Sequence, residues 1–299
     1  VQKYSANIDS YYEFNHLITA LAQTLGEGYA IHKQDVFVRK QFQDESNDNH
    51  EFLSESYFKY FNGRSYTDSQ TYLIITQENK KSRIFSFDSK KWRDFMVKIR
   101  KVKDQLKDSG VEASYLDGNT AREYVDRYFS MNFNDKIVSM TNFKVDEESI
   151  SMGNKRCKVY SLVDVDCVST PSIVRPFTNI EVNNVSMPVD MVSLVDSIPS
   201  ADVVVYNQMF FIPNQKRELS LLDKKKNRHA SMPNPSNQIA VEDIKKVQDV
   251  IARENKQLVY AHFNLVVGTS IDADIQKCTN HLENSFGRLG IHISKRAYN

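Results

Sequence analysis

All seven prolines of this 299-residue chain fall between Pro171 and Pro235, and none occurs in the first 170 residues. Proline fixes φ and removes a backbone donor, so it is excluded from helix interiors and central strands. A long proline-free stretch can therefore run in regular elements, whereas a proline-dense one is broken into turns. That distribution predicts an N-terminal α/β lobe over residues 1–168 and a proline-rich connection over 169–200. A C-terminal lobe over 201–299 follows. No internal repeat or low-complexity tract interrupts this plan.

The chain has the means to build a core, with 40% hydrophobic residues, 17 Phe and 15 Tyr; disordered chains are poor in aromatics. Mean hydropathy is −0.51, and no apolar run approaches the roughly 18 residues of a membrane span. The opening residues Val1-Gln2-Lys3-Tyr4-Ser5 lack a signal-peptide core, and a start without Met is expected of a processed fragment. Cys157, Cys167 and Cys278 have no metal-knuckle or disulfide-framework spacing, which fits reduced thiols in a cytoplasmic protein.

Net charge is only +1, but it is unevenly spread. Residues 78–108 carry eleven Lys/Arg against five Asp/Glu, and residues 214–230 carry six against two. The rest of the chain is correspondingly acidic, as in a subunit that presents faces of both signs.

Periodicity predicts the elements. Ser10-Tyr11-Tyr12-Glu13 has capping-box spacing before a helix with Phe14, Leu17, Ile18, Leu21 and Leu25 on one stripe. Strands are expected at 28–40 and 70–77, with a helix carrying Leu53, Tyr57, Tyr60 and Phe61 between them. Asp88 or Ser89 caps a helix whose stripe of Trp92, Phe95, Met96, Ile99, Val102 and Leu106 reads as core. A short strand at 111–116 and a helix opened by Thr120-Ala121-Arg122-Glu123 come next. Residues 155–166 alternate as a strand half-exposed to water. The back end reads as a strand at 202–212, helices over 214–228 and around Ile244, Val247 and Ile251, and a strand at 257–267. A helix with Ile271, Ile275, Cys278 and Leu282 and a strand at 290–295 complete it. The fold class is thus α+β or α/β, with helices on mixed or largely antiparallel sheets and a back end like a split βαβ unit.

Familiar chemistry is missing from this pattern. None of the nine glycines precedes lysine, which excludes a P-loop, and Gly26-Glu27-Gly28 lacks the third glycine of a dinucleotide fingerprint. H-E-x-x-H and G-x-S-x-G are absent. His262-Phe263-Asn264 has asparagine where a second metal-binding histidine would stand. Asp44-Glu45 and Asp146-Glu147-Glu148 read as solvated turns. The basic helix at 88–107, with Lys98 and Lys101, and the Lys224-Lys225-Lys226-Asn227-Arg228 run are candidates for contact with nucleic acid or anionic headgroups.

Several word-like segments stand in a characteristic order: Lys33-Gln34-Asp35-Val36-Phe37, then Tyr60-Phe61-Asn62-Gly63-Arg64-Ser65-Tyr66 after Phe52-Leu53 and Tyr57. Tyr206-Asn207-Gln208-Met209-Phe210-Phe211-Ile212, Ser236-Asn237-Gln238-Ile239 and Ala261-His262-Phe263-Asn264 follow. Their series resembles the N-terminal half of the TraG family of conjugative-transposon ATPases, relatives of the large type IV secretion ATPases. The resemblance spans essentially the whole chain. It departs from the family in two respects: the nucleotide-binding half is missing, and Val36 stands where an aromatic is common.

The resemblance implies a non-catalytic assembly and docking domain, cytoplasmic and peripheral to the inner membrane. Its implied partners are inner-membrane secretion components and other copies of the ATPase, with no small-molecule substrate. No cofactor is expected in this segment, because ATP and Mg belong to a C-terminal half that would begin near Asn299. Of the quoted positions, Lys33, Gln34, Asp35, Asn62, Arg64, Asn207, Gln208, Asn237, Gln238, His262 and Asn264 are expected to be structural. The alternative function is contact with DNA or an anionic membrane through residues 78–108 and 214–230.

Overall fold

The computed structural model describes residues 7–43, 52–79, 87–134, 143–147, 149–162 and 175–293. Its order is α1 (Asp9–Leu25), β1 (Tyr29–Gln41), α2 (Phe52–Phe61), β2 (Ser65–Gln77), α3 (Ser89–Asp108) and α4 (Gly118–Ser130). Then follow β3 (Lys144–Val145), β4 (Ile150–Met152), β5 (Lys155–Ser161), β6 (Phe177–Val182) and β7 (Val185–Asp190). A 3-10 turn at Met191–Leu194 leads to β8 (Val203–Phe211), α5 (Gln215–Ala230), α6 (Pro235–Glu254), β9 (Tyr260–Thr269) and α7 (Asp272–Gly287).

Seven strands form one sheet in the order β2-β1-β8-β9-β5-β4-β3, and every pairing in it is antiparallel. This is the expected α+β architecture of helices on a largely antiparallel sheet. The expected lobes are not separate sheets, however. β8 and β9, from residues 201–299, sit between β1 and β5, from residues 1–168. Within 201–299, β8 and β9 are direct antiparallel neighbours joined by the α5–α6 hairpin. The split arrangement uses a front-half strand: β8 and β5 run parallel with β9 between them.

Alternation along the strands divides the core between the two faces. On one face Phe37, Tyr160, Val204, Leu265 and Val267 pack under α7 (Cys278, Leu282) and the segment after the 3-10 turn (Val195, Ile198). Further along that face, Tyr29 and Ile31 meet Leu17, Leu21 and Leu25 of α1 and Val102 and Leu106 of α3. The opposite face buries Val36, Val38, Val203, Val205 and Val266 with Met131, Phe133 and Cys157.

Several local expectations are overturned. Ser10 lies inside α1, and it is Asn7 Oδ1 that accepts from Asp9 N (3.0 Å). Tyr11 rather than Phe14 is buried, because its hydroxyl reaches Pro188 O (3.1 Å) and its ring meets Phe177. Trp92 is 52% exposed and stacks on Phe95, so it flanks the core instead of filling it. Residues 111–116 form no strand; among the described residues none pairs with them, and Lys103 Nζ sits 4.6 Å over the Tyr115 ring. α4 is capped by Asp117, which accepts from Asn119 N and Thr120 N (both 2.9 Å), not by a box at Thr120.

β5 is buried on both faces rather than half-exposed, since α7 covers Tyr160 and the Met131 cluster covers Cys157; residues 163–166 of the expected strand lie outside the described residues. The supposed connection contains a hairpin: β6 and β7 turn through Asn183 and Asn184, both left-handed (φ 50° and 63°), as a two-residue type I′ turn requires. Pro188 is tolerated there because the hairpin is only two strands wide. Residues 163–174, with Cys167 and Pro171, are outside the described residues. Of the expected 290–295 strand, only a single bridge residue, Ile291, is found among the described residues.

Candidate functional site

The register of the central strands brings most of the motif residues together. Gln34 lies opposite Asn207, and Asn207 lies opposite Asn264, so three amides stand side by side across β1, β8 and β9. Asn207 Oδ1 accepts from Gln34 Nε2 (2.7 Å) and meets His32 Nε2 (2.9 Å), while Asn207 Nδ2 donates to Asn264 Oδ1 (2.7 Å). The Tyr124 hydroxyl closes the ladder from α4 by donating to Gln34 Oε1 (2.5 Å). Burial, then the nearby Tyr128, push the Tyr124 hydroxyl up to about 12.

The other face of the same strands carries charge. Lys33 donates to the Asp35 carboxylate, which also accepts from Thr71 Oγ1 (2.7 Å) and Gln208 Nε2 (3.0 Å). Asp35 is fully buried and Lys33 nearly so. Asp190 stands near this pair; burial raises its carboxyl above the usual range, against the pull of the Val192 N–H and the Lys33 charge. Tyr206 is pushed well above an ordinary phenol, first by burial and then by Asp35 and Asp190. A buried pair of this kind stabilises only when its remaining lone pairs are satisfied, and here Thr71 and Gln208 do so.

These two layers leave little to offer a ligand. Among the described residues no buried side-chain N or O lacks a hydrogen-bond partner, and no three His, Cys, Asp or Glu side chains converge as metal ligands would. Burial lifts the Cys157 thiol to about 12 and the Cys278 thiol to about 11, so neither is a thiolate near neutrality. A cleft of about 140 Å³ between Arg39, Tyr66, Asp196 and Asp202 is smaller than the roughly 300–1,000 Å³ of small-molecule sites.

The remaining motif positions are dispersed. Arg64 places its guanidinium 3.5 Å over the Tyr60 ring in the turn after α2, one residue beyond the Asn62-Gly63 turn. Asn237 ties the tip of the α5–α6 hairpin, donating to Met232 O (2.6 Å) and meeting His229 Nδ1 (2.8 Å). Gln238 and His262 are exposed. His32, Thr71, Tyr124 and Asp190 belong to none of the sequence motifs. His32 could have been found by its spacing of two from Gln34 on a strand; the others join only through pairing and packing.

The basic segments take distinct roles. Lys98 is not free for a partner: it donates to Leu25 O at the end of α1 and lies 4.3 Å over the Tyr29 ring. Burial, then Lys101, lower its pKa. Lys101 is exposed, and residues 80–86 of the same segment are outside the described residues. Lys226 is engaged with Asp223 (2.8 Å) and Gln248 (2.9 Å), toward α6. α5 exposes Lys216, Arg217, Leu221, Lys224, Lys225 and Arg228, while its two acidic residues are engaged, Asp223 with Lys226 (2.8 Å) and Glu218 with the Tyr260 hydroxyl (2.6 Å). The Leu25–Glu27 turn links both basic helices, since Glu27 also accepts from Asn214 Nδ2 (2.8 Å) and Gln215 N (2.9 Å) before α5.

Asp146 accepts from Ser149 N (2.7 Å) and pairs with Arg156 (2.5 Å), so that acidic turn is a structural tie; Asp44-Glu45 and Glu148 lie outside the described residues. Among the described residues no helix is long and apolar enough to cross a membrane. No model of a known protein family and no curated protein matches the chain.

Proposed function

We propose that this chain is a non-catalytic assembly and docking domain of a conjugation ATPase, working in the cytoplasm at the inner membrane. Its partners are channel components and neighbouring copies, and ATP and Mg serve a separate nucleotide-binding half. Two things support the reading: the motif series that resembles the TraG family, and the fate of the motif side chains. The second carries it. Lys33, Asp35 and Gln208 hydrogen-bond together on one face of the central strands, and Gln34, Asn207 and Asn264 on the other. Residues spent on each other specify a scaffold, not a catalytic centre.

Calorimetric titration of the chain with ATP and Mg is expected to give no saturable heat; saturable binding overturns the reading. The encoding frame is expected to carry G-x-x-x-x-G-K-[ST] downstream of Asn299, and a frame without it removes the ATPase connection.

The outer side of α5 favours a second reading, contact with a polyanion such as a nucleic-acid backbone or anionic headgroups. Five exposed cations on α5, against two carboxylates already bonded to Lys226 and Tyr260, concentrate positive potential along one helix, which attracts phosphate with strong salt dependence.

A further inference from the structure

We infer that the outer edge of β2 is a self-association surface on which a second copy of this chain adds its own β2, antiparallel, to make one continuous sheet. The inference stands on the sheet edge alone and is independent of the ATPase reading.

The two edges of the sheet are built differently. At one end β3 has only two residues, a length that gives little template for pairing. At the other, β2 runs thirteen residues and pairs with β1 in unbroken register from Ser65↔Gln41 to Gln77↔Tyr29, with no bulge. Natural edges are usually blunted by proline, lysine, a bulge or an inward-pointing charge. β2 has none of these: its one charged residue is Asp68, and Lys40 on β1 holds that carboxylate at 2.8 Å.

Which groups point outward follows from the hydrogen bonds that bracket the β1–β2 pair. Phe42 N donates to Arg64 O (2.8 Å) and Glu78 N donates to Gly28 O (2.7 Å). Partners in an antiparallel ladder alternate between bonded and non-bonded pairs. Even-numbered residues of β2 therefore bond to β1, and the odd-numbered ones from Ser65 to Gln77 aim N–H and C=O away from the sheet. No described strand receives them, and Ser65, Thr67, Ser69 and Thr71 are exposed.

The occupant that fits is the strand itself. A two-fold axis through Thr71 sets Ser65 against Gln77, Thr67 against Ile75 and Ser69 against Leu73, odd against odd over the full length. Every outward donor then meets an outward acceptor. Asp68 faces Ile74, so no like charges oppose each other, and Thr71 meets Thr71, a favourable cross-strand pair. α2 adds apolar surface at the start of the same strand, where Leu53, Tyr57 and Tyr60 are 79%, 56% and 59% exposed. One strand pair buries less than the roughly 1,200 Å² of a stable interface, so the dimer is reversible.

Sedimentation of the chain between about 1 and 100 µM, bracketing the affinity of a small interface, is expected to show conversion from 34.6 kDa to twice that mass. A monomer throughout overturns the proposal. Ser69→Pro removes one outward N–H and leaves the β1 side intact; a folded, monomeric variant is expected, and a folded variant that still dimerises overturns it. Should that variant unfold, Ser69→Cys on a Cys167→Ser background decides, since position 69 is exposed and the remaining Cys157 and Cys278 are buried. Across the axis the two position-69 thiols stand four strand residues apart, about 14 Å at about 3.4 Å per residue, so a bis-maleimide of that span is expected to link two copies. Absence of the linked dimer overturns the register.

Discussion

Asn207 donates from Nδ2 to Asn264 Oδ1 at 2.7 Å, across two strands joined through a forty-residue helical excursion, α5 and α6. The same Asn207 accepts from Gln34, so one side chain links the front and back of the chain. Truncating it to alanine leaves Gln34 and Asn264 wanting partners, at about 1–3 kcal/mol for each unsatisfied buried group. Denaturant unfolding of Asn207→Ala, Asn264→Ala and the double variant is expected to show a coupling of about 0.5–3 kcal/mol. Strict additivity would mean that the bond contributes nothing.

Lys33→Met strips the cation from Asp35 and brings no substitute. A loss of about 3–5 kcal/mol is expected, the cost of a buried carboxylate without its counter-charge. Adding Asp35→Asn keeps an acceptor for Thr71 and Gln208 and removes the stranded charge, so the double variant should recover at least half of that loss in the same unfolding assay.

Asp202 binds Ser270 N (2.6 Å), Ser270 Oγ (2.5 Å) and Lys155 Nζ (3.1 Å), tying the ends of β8, β9 and β5 together. Burial pushes its carboxyl up, but the Ser270 and Lys155 contacts together outweigh burial and leave the pKa below its ordinary value. A depressed folded pKa means that the stabilisation is present above the unfolded value and is lost as pH falls through the folded one. Stability should therefore decline below about pH 4, and Asp202→Ala should flatten that acid limb when unfolding is followed against pH.

Gly153 and Gly268 are expected to resist substitution for different reasons. At Gly153, φ is +61° and an added Cβ would stand 2.6 Å from Ser130 O; at Gly268 it would meet Val203 Cγ1 at 2.9 Å. Alanine at either should cost about 1–3 kcal/mol by strain or overpacking. Thermal unfolding of Gly287→Ala, where a Cβ meets nothing within 4 Å, supplies the comparison and should be near wild type.

Replacing Lys224, Lys225 and Arg228 by glutamate tests the polyanion contact. Wild-type binding to a labelled oligonucleotide should weaken steeply with salt, each lost phosphate contact lowering the log–log slope by about 0.9 on a duplex. The triple variant should lose most of the affinity and about three contacts of slope. Lys98→Glu is not an equivalent probe, because Lys98 is bound to Leu25 O and its loss disturbs the end of α1.

Much of this architecture could be read from residues in order. The stripe of Leu17, Leu21 and Leu25, the alternation through Val36 and Val38, and the apolar run Val203-Val204-Val205 identify helix and strands. Each signal lies within one element, where a period of 3.6 or 2 tells which side is apolar. Proline spacing likewise marked the irregular middle, although Asn183-Asn184 made a hairpin inside it.

Tertiary structure alone decided what those elements touch. β8 and β9 enter between β1 and β5, so Gln34, Asn207 and Asn264, separated by 173 and 57 positions, become neighbours. The same insertion buries Lys33 beside Asp35 and leaves β2 at the edge. Local propensity cannot encode this, because strand order depends on which long-range pairings bury the most apolar surface and satisfy the most polar groups at once. Trp92 shows the limit from the other side: its helical spacing matches the core stripe, yet it stands 52% exposed, stacked on Phe95 at the rim.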